Sequence, residues 1–311
     1  DSTKGWLPLE DDVAADEPVP PQTQKAIFGY GTTGSLVSIS NLVNSSGTVG
    51  SDVTGVGTAR RILAATGYGL DKAIFAYGLT SGNVSLSNLV SNSGVVASDT
   101  TGVGTARRGL GAAVYGTDKA IFAFGYTDSL VSMSNLVNSS GVIASDVTGV
   151  GTARSDLAAA GYGTDKAIMA YGNDDSGGAN VTALSNLVSS SGVVASDVAG
   201  VGTARQLFTA TGYGRDKAIF GYGYTGSTVS MTNLVTNLGV IGSDVSGVGT
   251  ARYGLAAAVY GEDKALFAYG TTGSNVSLKN LVNSSGVVAS DVTGVGTARH
   301  YLAAAGFSTS A

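Results

Sequence analysis

Few side chains in this chain of 311 residues could carry chemistry, and most of those recur at a fixed interval. His300 is the sole histidine and there is no cysteine. That inventory supplies no thiolate nucleophile and no Cys or two-His metal site. No Ser–His–Asp set can be assigned by spacing. Paired carboxylates for glycoside hydrolysis stay open, because distances between repeats cannot be read from spacing. Asp174 and Asp175 sit in the stretch N-D-D-S-G-G-A-N. Oxygen ligands beside glycine would suit Ca²⁺, but the spacing matches no standard loop, and a solvated turn is the simpler reading. The expectation is a protein that is not an enzyme and needs no metal or cofactor.

Three charged positions recur six times each. An arginine closes G-T-A-R at Arg60, Arg107, Arg154, Arg205, Arg252 and Arg299. An aspartate stands at Asp52, Asp99, Asp146, Asp197, Asp244 and Asp291, and a lysine at Lys25, Lys72, Lys119, Lys166, Lys217 and Lys264. One reading is a charged ring around a channel that holds an ion. The other is that each set ties one unit to the next by buried, charge-assisted hydrogen bonds. The second is preferred, since a binding site rarely needs every unit and a structural bond does. The run G-V-G-T-A-R has the look of a phosphate loop. It lacks the following helix and the Walker lysine, so it is expected to be the turn between units.

The elements that must position these residues form six tandem units. Successive G-T-A-R arginines are 47, 47, 51, 47 and 47 residues apart, and the asparagine of N-L-V keeps step from Asn41 to Asn280. Each unit holds four strand-sized segments, typified by L-A-A-A-G, K-A-I-F-A-Y, V-S-L-S-N-L-V and V-V-A-S-D-V, separated by Gly, Asn and Ser. The second is apolar on both alternating faces, as expected of a strand covered on both sides. The first is almost all small residues, as a crowded innermost strand requires. The 47 glycines fit short strands with tight turns. The first unit lacks its first segment, and Tyr301–Gly306 supplies one at the C-terminus. The predicted fold is all-β: a six-bladed β-propeller of four-stranded antiparallel blades over residues 24–311, closed by the C-terminal strand joining the first blade.

The order of T-A-R, K-A-I-F-A-Y-G and N-L-V resembles the kelch repeat over all six units. That family places an arginine near the inner strand, then an apolar strand ending in a glycine doublet, then large aromatics. Here a single glycine (Gly78, Gly125) stands for the doublet, and Leu and Val stand for the aromatics. The wording of G-V-G-T-A-R and D-K-A-I-F is also similar to kelch-like repeat proteins of bacteriophages. That second resemblance implies a virion or tail-fibre component, virion-bound or extracellular.

Residues 1–23 read as an extended, acidic tether containing all four prolines. Residues 1–22 carry Asp1, Glu10, Asp11, Asp12, Asp16 and Glu17 against Lys4, which leaves 16 acids and 16 bases for the rest. The body therefore offers no basic field for nucleic acid, and no apolar run is long enough for a membrane helix. Trp6, Leu7 and Leu9 form an apolar cluster that could anchor the tail on other proteins of a larger assembly.

Variation between units marks one face. The loop between second and third segments differs most, and so does the residue after each arginine. Both are expected on the same face of a propeller. Arg61, Arg108, Tyr126, Asp174, Asp175, Tyr224, Tyr253 and His300 are the candidate contact residues, with Tyr and Arg common at interfaces. The expected function is a structural or adhesion module that presents this face to a partner, receptor or surface glycan. The alternatives are a carbohydrate-binding propeller and a glycan-active hydrolase.

Overall fold

The K-A-I-F-A segment forms the middle strand of every sheet, because its side chains are apolar on both faces and both faces are covered. The structure is a computed structural model that describes residues 23–175 and 180–310. Trp6, Leu7 and Leu9 lie outside the described residues, as does the rest of segment 1–22. In chain order the strands are β1 (Lys25–Gly29), β2 (Ser40–Val43), β3 (Ala64–Tyr68), β4 (Lys72–Ala76), β5 (Ser87–Val90) and β6 (Gly111–Tyr115). They continue with β7 (Lys119–Tyr126), β8 (Leu130–Val137), β9 (Ala158–Tyr162), β10 (Lys166–Ala170), β11 (Ser185–Val188) and β12 (Thr209–Tyr213). The last six are β13 (Lys217–Tyr224), β14 (Thr228–Val235), β15 (Ala256–Tyr260), β16 (Lys264–Ala268), β17 (Lys279–Val282) and β18 (Ala303–Phe307). All regular elements among the described residues are strands.

The strands make six separate three-stranded antiparallel sheets in a propeller-like arrangement. Five sheets are consecutive triplets from β3–β4–β5 to β15–β16–β17, and the sixth is β18–β1–β2. Its register, Lys25 opposite Phe307 through Gly29 opposite Ala303, matches that of β4 with β3, where Lys72 faces Tyr68. The two chain ends thus build one sheet together.

The fourth predicted segment is not a strand of the ladder. It meets the third through two isolated bridges per unit, such as Val43 with Val49 and Ser40 with Val53. The fourth segment spans one residue more than the third between these bridges. Asn41 fills the gap, its side chain donating to Gly50 O at 3.0 Å where a ladder amide would. The extra residue acts as a bulge and breaks the pairing.

Six apolar clusters hold the sheets together, each between two neighbours. Ile27 and Tyr30 of the first sheet pack on Phe75 and Leu63 of the next. On its other side Phe28 packs on Leu266 and Tyr269. Alternation along one strand therefore feeds two cores at once. Each fully buried Ile or Phe contributes about 1.5–3 kcal/mol relative to exposure. The inner strands touch in the order β3, β6, β9, β12, β15, β18 and back to β3. They line a cavity of ≈ 190 Å³ walled by Ala65, Ala112, Ala159, Ala210, Ala257 and Ala304.

Candidate functional site

Two regions concentrate the polar side chains, and they differ in kind. The first is the seam between sheets. Arg60 is fully buried. Its Nε donates to Tyr77 O at 2.9 Å, Nη1 to Thr58 O at 3.1 Å and Nη2 to Asn88 Oδ1 at 2.7 Å. The guanidinium lies 4.3 Å over the ring of Tyr30 in the preceding sheet. Asn88 in turn donates to Ala97 O at 3.0 Å and to Asp99 Oδ1 at 2.9 Å. Asp99 Oδ2 accepts from Thr58 N at 2.9 Å and from Thr58 Oγ1 at 2.6 Å. Arg60 and Asp99 themselves are 3.9 Å apart, so the aspartate is held mainly by Thr and Asn.

This arrangement needs glycine at Gly57. Its φ is +75°, and a Cβ there would lie 2.4 Å from Asp99 Oδ1 and 2.6 Å from Asn88 Nδ2. The second glycine of G-V-G-T-A-R therefore makes room for these bonds, which gives the repeated motif a structural reason.

The other five arginines are equally buried. Burial lowers the pKa of each, and Arg154, which lies 4.2 Å over Phe124 instead of a tyrosine, falls to about 10. Burial pushes Asp52, Asp99, Asp146, Asp197, Asp244 and Asp291 up. Hydrogen bonds from Thr and Asn, with Arg nearby, more than offset this and hold them below the usual carboxylate range. At the seam joining the last unit to the first, Arg299 Nε donates to Tyr30 O at 2.9 Å. There Asn41 Oδ1 and Arg299 Nη2 lack the bond that their counterparts make.

The lysines do not share this burial. Lys72 pairs with Asp71 at 2.7 Å, and Lys119, Lys166, Lys217 and Lys264 likewise pair with the preceding aspartate. They stand half-exposed on the turns between first and second strands, because the pair sits at the loop end of a strand. The expectation of a buried tie is corrected for this set.

The second region lies at the other end of the sheets. The residue after each seam arginine bridges to the start of a variable loop: Arg61 with Leu79, Arg108 with Tyr126, Ser155 with Asn173, Gln206 with Tyr224, Tyr253 with Thr271 and His300 with Thr32. The two variable sets therefore meet. One residue further on, a ring of backbone hydrogen bonds crosses from sheet to sheet. Ile62 N donates to Tyr301 O, Tyr301 to Gly254, Gly254 to Leu207, Leu207 to Asp156, Asp156 to Gly109 and Gly109 to Ile62, at 2.7–3.1 Å. All six residues have φ between +53° and +63°. Four are not glycine, and such strain costs about 1–3 kcal/mol each and persists only where the surroundings fix it. The ring of bonds is what fixes it.

Side chains on this floor form two arcs. One is aromatic: Tyr224 and Tyr253 are 5.5 Å apart, Tyr253 and Tyr301 6.3 Å, and Tyr301 and His300 4.5 Å. His300 Nδ1 meets Asn275 Oδ1 at 2.7 Å. Burial, then Arg61, lowers the His300 pKa. Burial, then Tyr253 and Asp156, pushes Tyr301 up to about 12. The other arc is charged. Arg108 lies 4.6 Å over Tyr126 and donates to Asn83 Oδ1 at 3.1 Å. Arg61 makes no side-chain hydrogen bond or ion pair among the described residues. Asp156 accepts from Ser155 Oγ at 3.3 Å, and burial raises its pKa to about 6 against that bond and Arg108.

Asp174 accepts from Asn180 Nδ2 at 2.6 Å, and Asp175 N donates to Asn173 Oδ1 at 3.1 Å. These bonds join the described residues of the N-D-D-S-G-G-A-N stretch to one another beside Ser155; residues 176–179 lie outside the described residues. Asp156 and Tyr301 were not among the expected contact residues. Their signal was present, since the position two after each seam arginine reads Ile, Gly, Asp, Leu, Gly, Tyr.

A scan of protein-family models finds none that matches the chain, and a search of curated proteins finds no significant match.

Proposed function

We propose that the chain is a closed six-bladed β-propeller, its fourth segments acting as bulged outer strands of four-stranded blades. We further propose that it is a non-enzymatic structural or adhesion module presenting the variable face to a partner. The observation that carries this reading is polarity along the axis. Thr23, where the described chain begins, accepts from Glu262 N at 3.2 Å beside the turns between first and second strands. The variable face lies at the opposite ends of the same inner strands. A chain attached through residues 1–22 would hold that face outward.

The setting of a virion or tail fibre rests on the resemblance of the repeats to phage-encoded kelch-like arrays. In that setting Trp6, Leu7 and Leu9 attach the propeller to other proteins of the particle. Imaging native material with an antibody to this chain tests it: labelled particle surfaces are expected, and a soluble monomer would overturn it. For the face, Arg108, Tyr126, Tyr224 and Tyr253 are replaced together by alanine. Loss of binding or assembly with retained folding is expected, and unchanged binding removes the reading.

A second reading, a free carbohydrate-binding propeller, is favoured by the aromatic arc. Aromatic rings with hydrogen-bonding edges supply both a stacking surface and polar contacts. Specific saccharide binding by an isolated chain that is found on no particle would favour it.

A further inference from the structure

The centre of the variable face combines three features that the seams do not have. Its aromatic rings are partly exposed and contiguous, running from Tyr224 through Tyr253 and Tyr301 to His300. Beside Tyr301 stands Arg61, a guanidinium with no hydrogen bond or ion pair among the described residues. Asp156, like Arg61, is near enough to Tyr301 to act on its hydroxyl, and it holds the Ser155 hydroxyl at 3.3 Å. Every seam arginine, by contrast, is fully buried, with hydrogen bonds to its surroundings.

We propose that the axial floor of the variable face binds an acidic saccharide, with Arg61 taking the carboxylate, Tyr253 and Tyr301 stacking on the sugar ring, and Asp156 accepting from its hydroxyls. This rests on the reading of that face as a contact surface. The chemistry selects the class. A sugar ring has an apolar C–H face that lies on an aromatic ring and hydroxyls that both donate and accept. A neutral sugar covering Arg61 would leave its charge without a counterion, whereas a carboxylate accepts two parallel bonds from the guanidinium fork. Asp156 has a second oxygen free to accept. The body of the chain carries equal numbers of acids and bases, so a polyanion drawn by bulk charge is not what the site fits.

The floor is prepared for such a ligand by the backbone ring. Six left-handed residues bonded end to end leave no floppy loop beneath the site, which limits the ordering cost of binding. Gly109 and Gly254 admit the neighbouring side chains: a Cβ on Gly109 would lie 2.8 Å from Asp156 Oδ1, and one on Gly254 3.1 Å from Tyr301 Cδ1. Asp156 and Tyr301 are thus laid over glycine. Asp156 also sits where burial disfavours its charge, a cost to stability of the kind that clusters at functional positions.

The test is calorimetric titration of the full chain with galacturonic acid tetrasaccharide and with its fully methyl-esterified form, which keeps the sugar rings and removes the charge. Saturable binding of the acid is expected, with the ester weaker by about tenfold to a hundredfold, the range of a hydrogen bond to a charged group. Arg61→Gln is expected to abolish the difference between acid and ester. Tyr253→Ala is expected to weaken both. The Arg61 side chain makes no hydrogen bond or ion pair among the described residues, so an unchanged unfolding midpoint in Arg61→Gln checks that folding is intact. Equal binding of acid and ester, or undiminished preference for the acid in Arg61→Gln, overturns the proposal. So does the absence of saturation by either probe. If neither probe binds while the fourfold alanine variant still loses its native partner, the face remains a contact surface and the acidic saccharide is excluded.

Discussion

The seams and the variable face use the same residue types for opposite ends. Arg60 and Arg61 are neighbours in the chain, yet one is fully buried and bonded through its whole guanidinium, and the other is partly exposed, its side chain without a hydrogen bond or ion pair among the described residues. The seam repeats because each unit must meet its neighbour in the same geometry, and the one departure among its rings, Phe124 for tyrosine, keeps the ring under Arg154. The face carries the same backbone six times, held by inter-sheet amide bonds that do not depend on side chains. Its residues are therefore free to differ. Identity across units marks what the fold requires, and variation over a constant backbone marks what the fold leaves free to differ.

The sharpest contrast is between Arg154→Ala and Arg61→Ala. The first strips a buried charge from Tyr171 O, Thr152 O and Asn186 Oδ1 and leaves them unpaired. Its expected cost is about 3–5 kcal/mol. The second should stay within about 0.5 kcal/mol. Urea unfolding of the two variants measures both, and similar costs would erase the distinction between the regions.

Next is Gly57→Ala, which combines a left-handed φ with a collision against Asp99 and Asn88. A loss of about 1–3 kcal/mol is expected from strain and displaced partners. The six seam aspartates make the same point through pH. Their folded pKa values lie below the ordinary range. Their contribution is present above the unfolded carboxylate pKa and is lost as pH falls through the folded values. Thermal midpoints should therefore drop in acid, and Asp99→Asn should flatten that drop.

Asp156 on the face runs the other way. Its folded pKa of about 6 exceeds the unfolded value. The favourable contribution is full below the unfolded pKa, about 4, and lost as pH rises through about 6. Asp156→Asn should thus stabilise the chain by about 1 kcal/mol at pH 7.5, after discount for partial exposure, and by nothing at pH 3.5. A gain of similar size is expected for Phe124→Tyr. The tyrosines at this position donate to a valine carbonyl, as Tyr77 Oη does to Val103 O at 3.2 Å. Supplying the missing hydroxyl should add about 0.5–1.5 kcal/mol if Val150 O accepts it. No gain in thermal midpoint would mean that the sheets have closed around Phe124.

Much of this was legible in the residues. K-A-I-F-A predicted a strand covered on both faces, and Phe28 and Ile27 do serve two different cores. The offset ends predicted that Tyr301–Gly306 would complete the first sheet, and β18 pairs with β1. The fourth segment misled, because V-V-A-S-D-V alternates like a strand. Only the position of Asn41 relative to Gly50 reveals that a side chain replaces a ladder bond there. The lysines misled for a related reason: periodic recurrence does not distinguish a buried tie from a turn. Asp156 and Tyr301 vary between units as the expected contact residues do, but nothing local shows that the second position after the arginine lies beside the axis.

The sequence by itself determined the repeat, the strand order within each unit and the pairing of the two ends, since these follow from periodicity and from which faces are apolar. The tertiary structure alone decided which of two adjacent arginines is buried and where the left-handed ring lies. It also decided which variable side chains converge. Those outcomes depend on six units meeting around one axis. Residues such as Tyr253, Tyr301 and Arg61, far apart in sequence, become neighbours only because the last strand completes the first sheet.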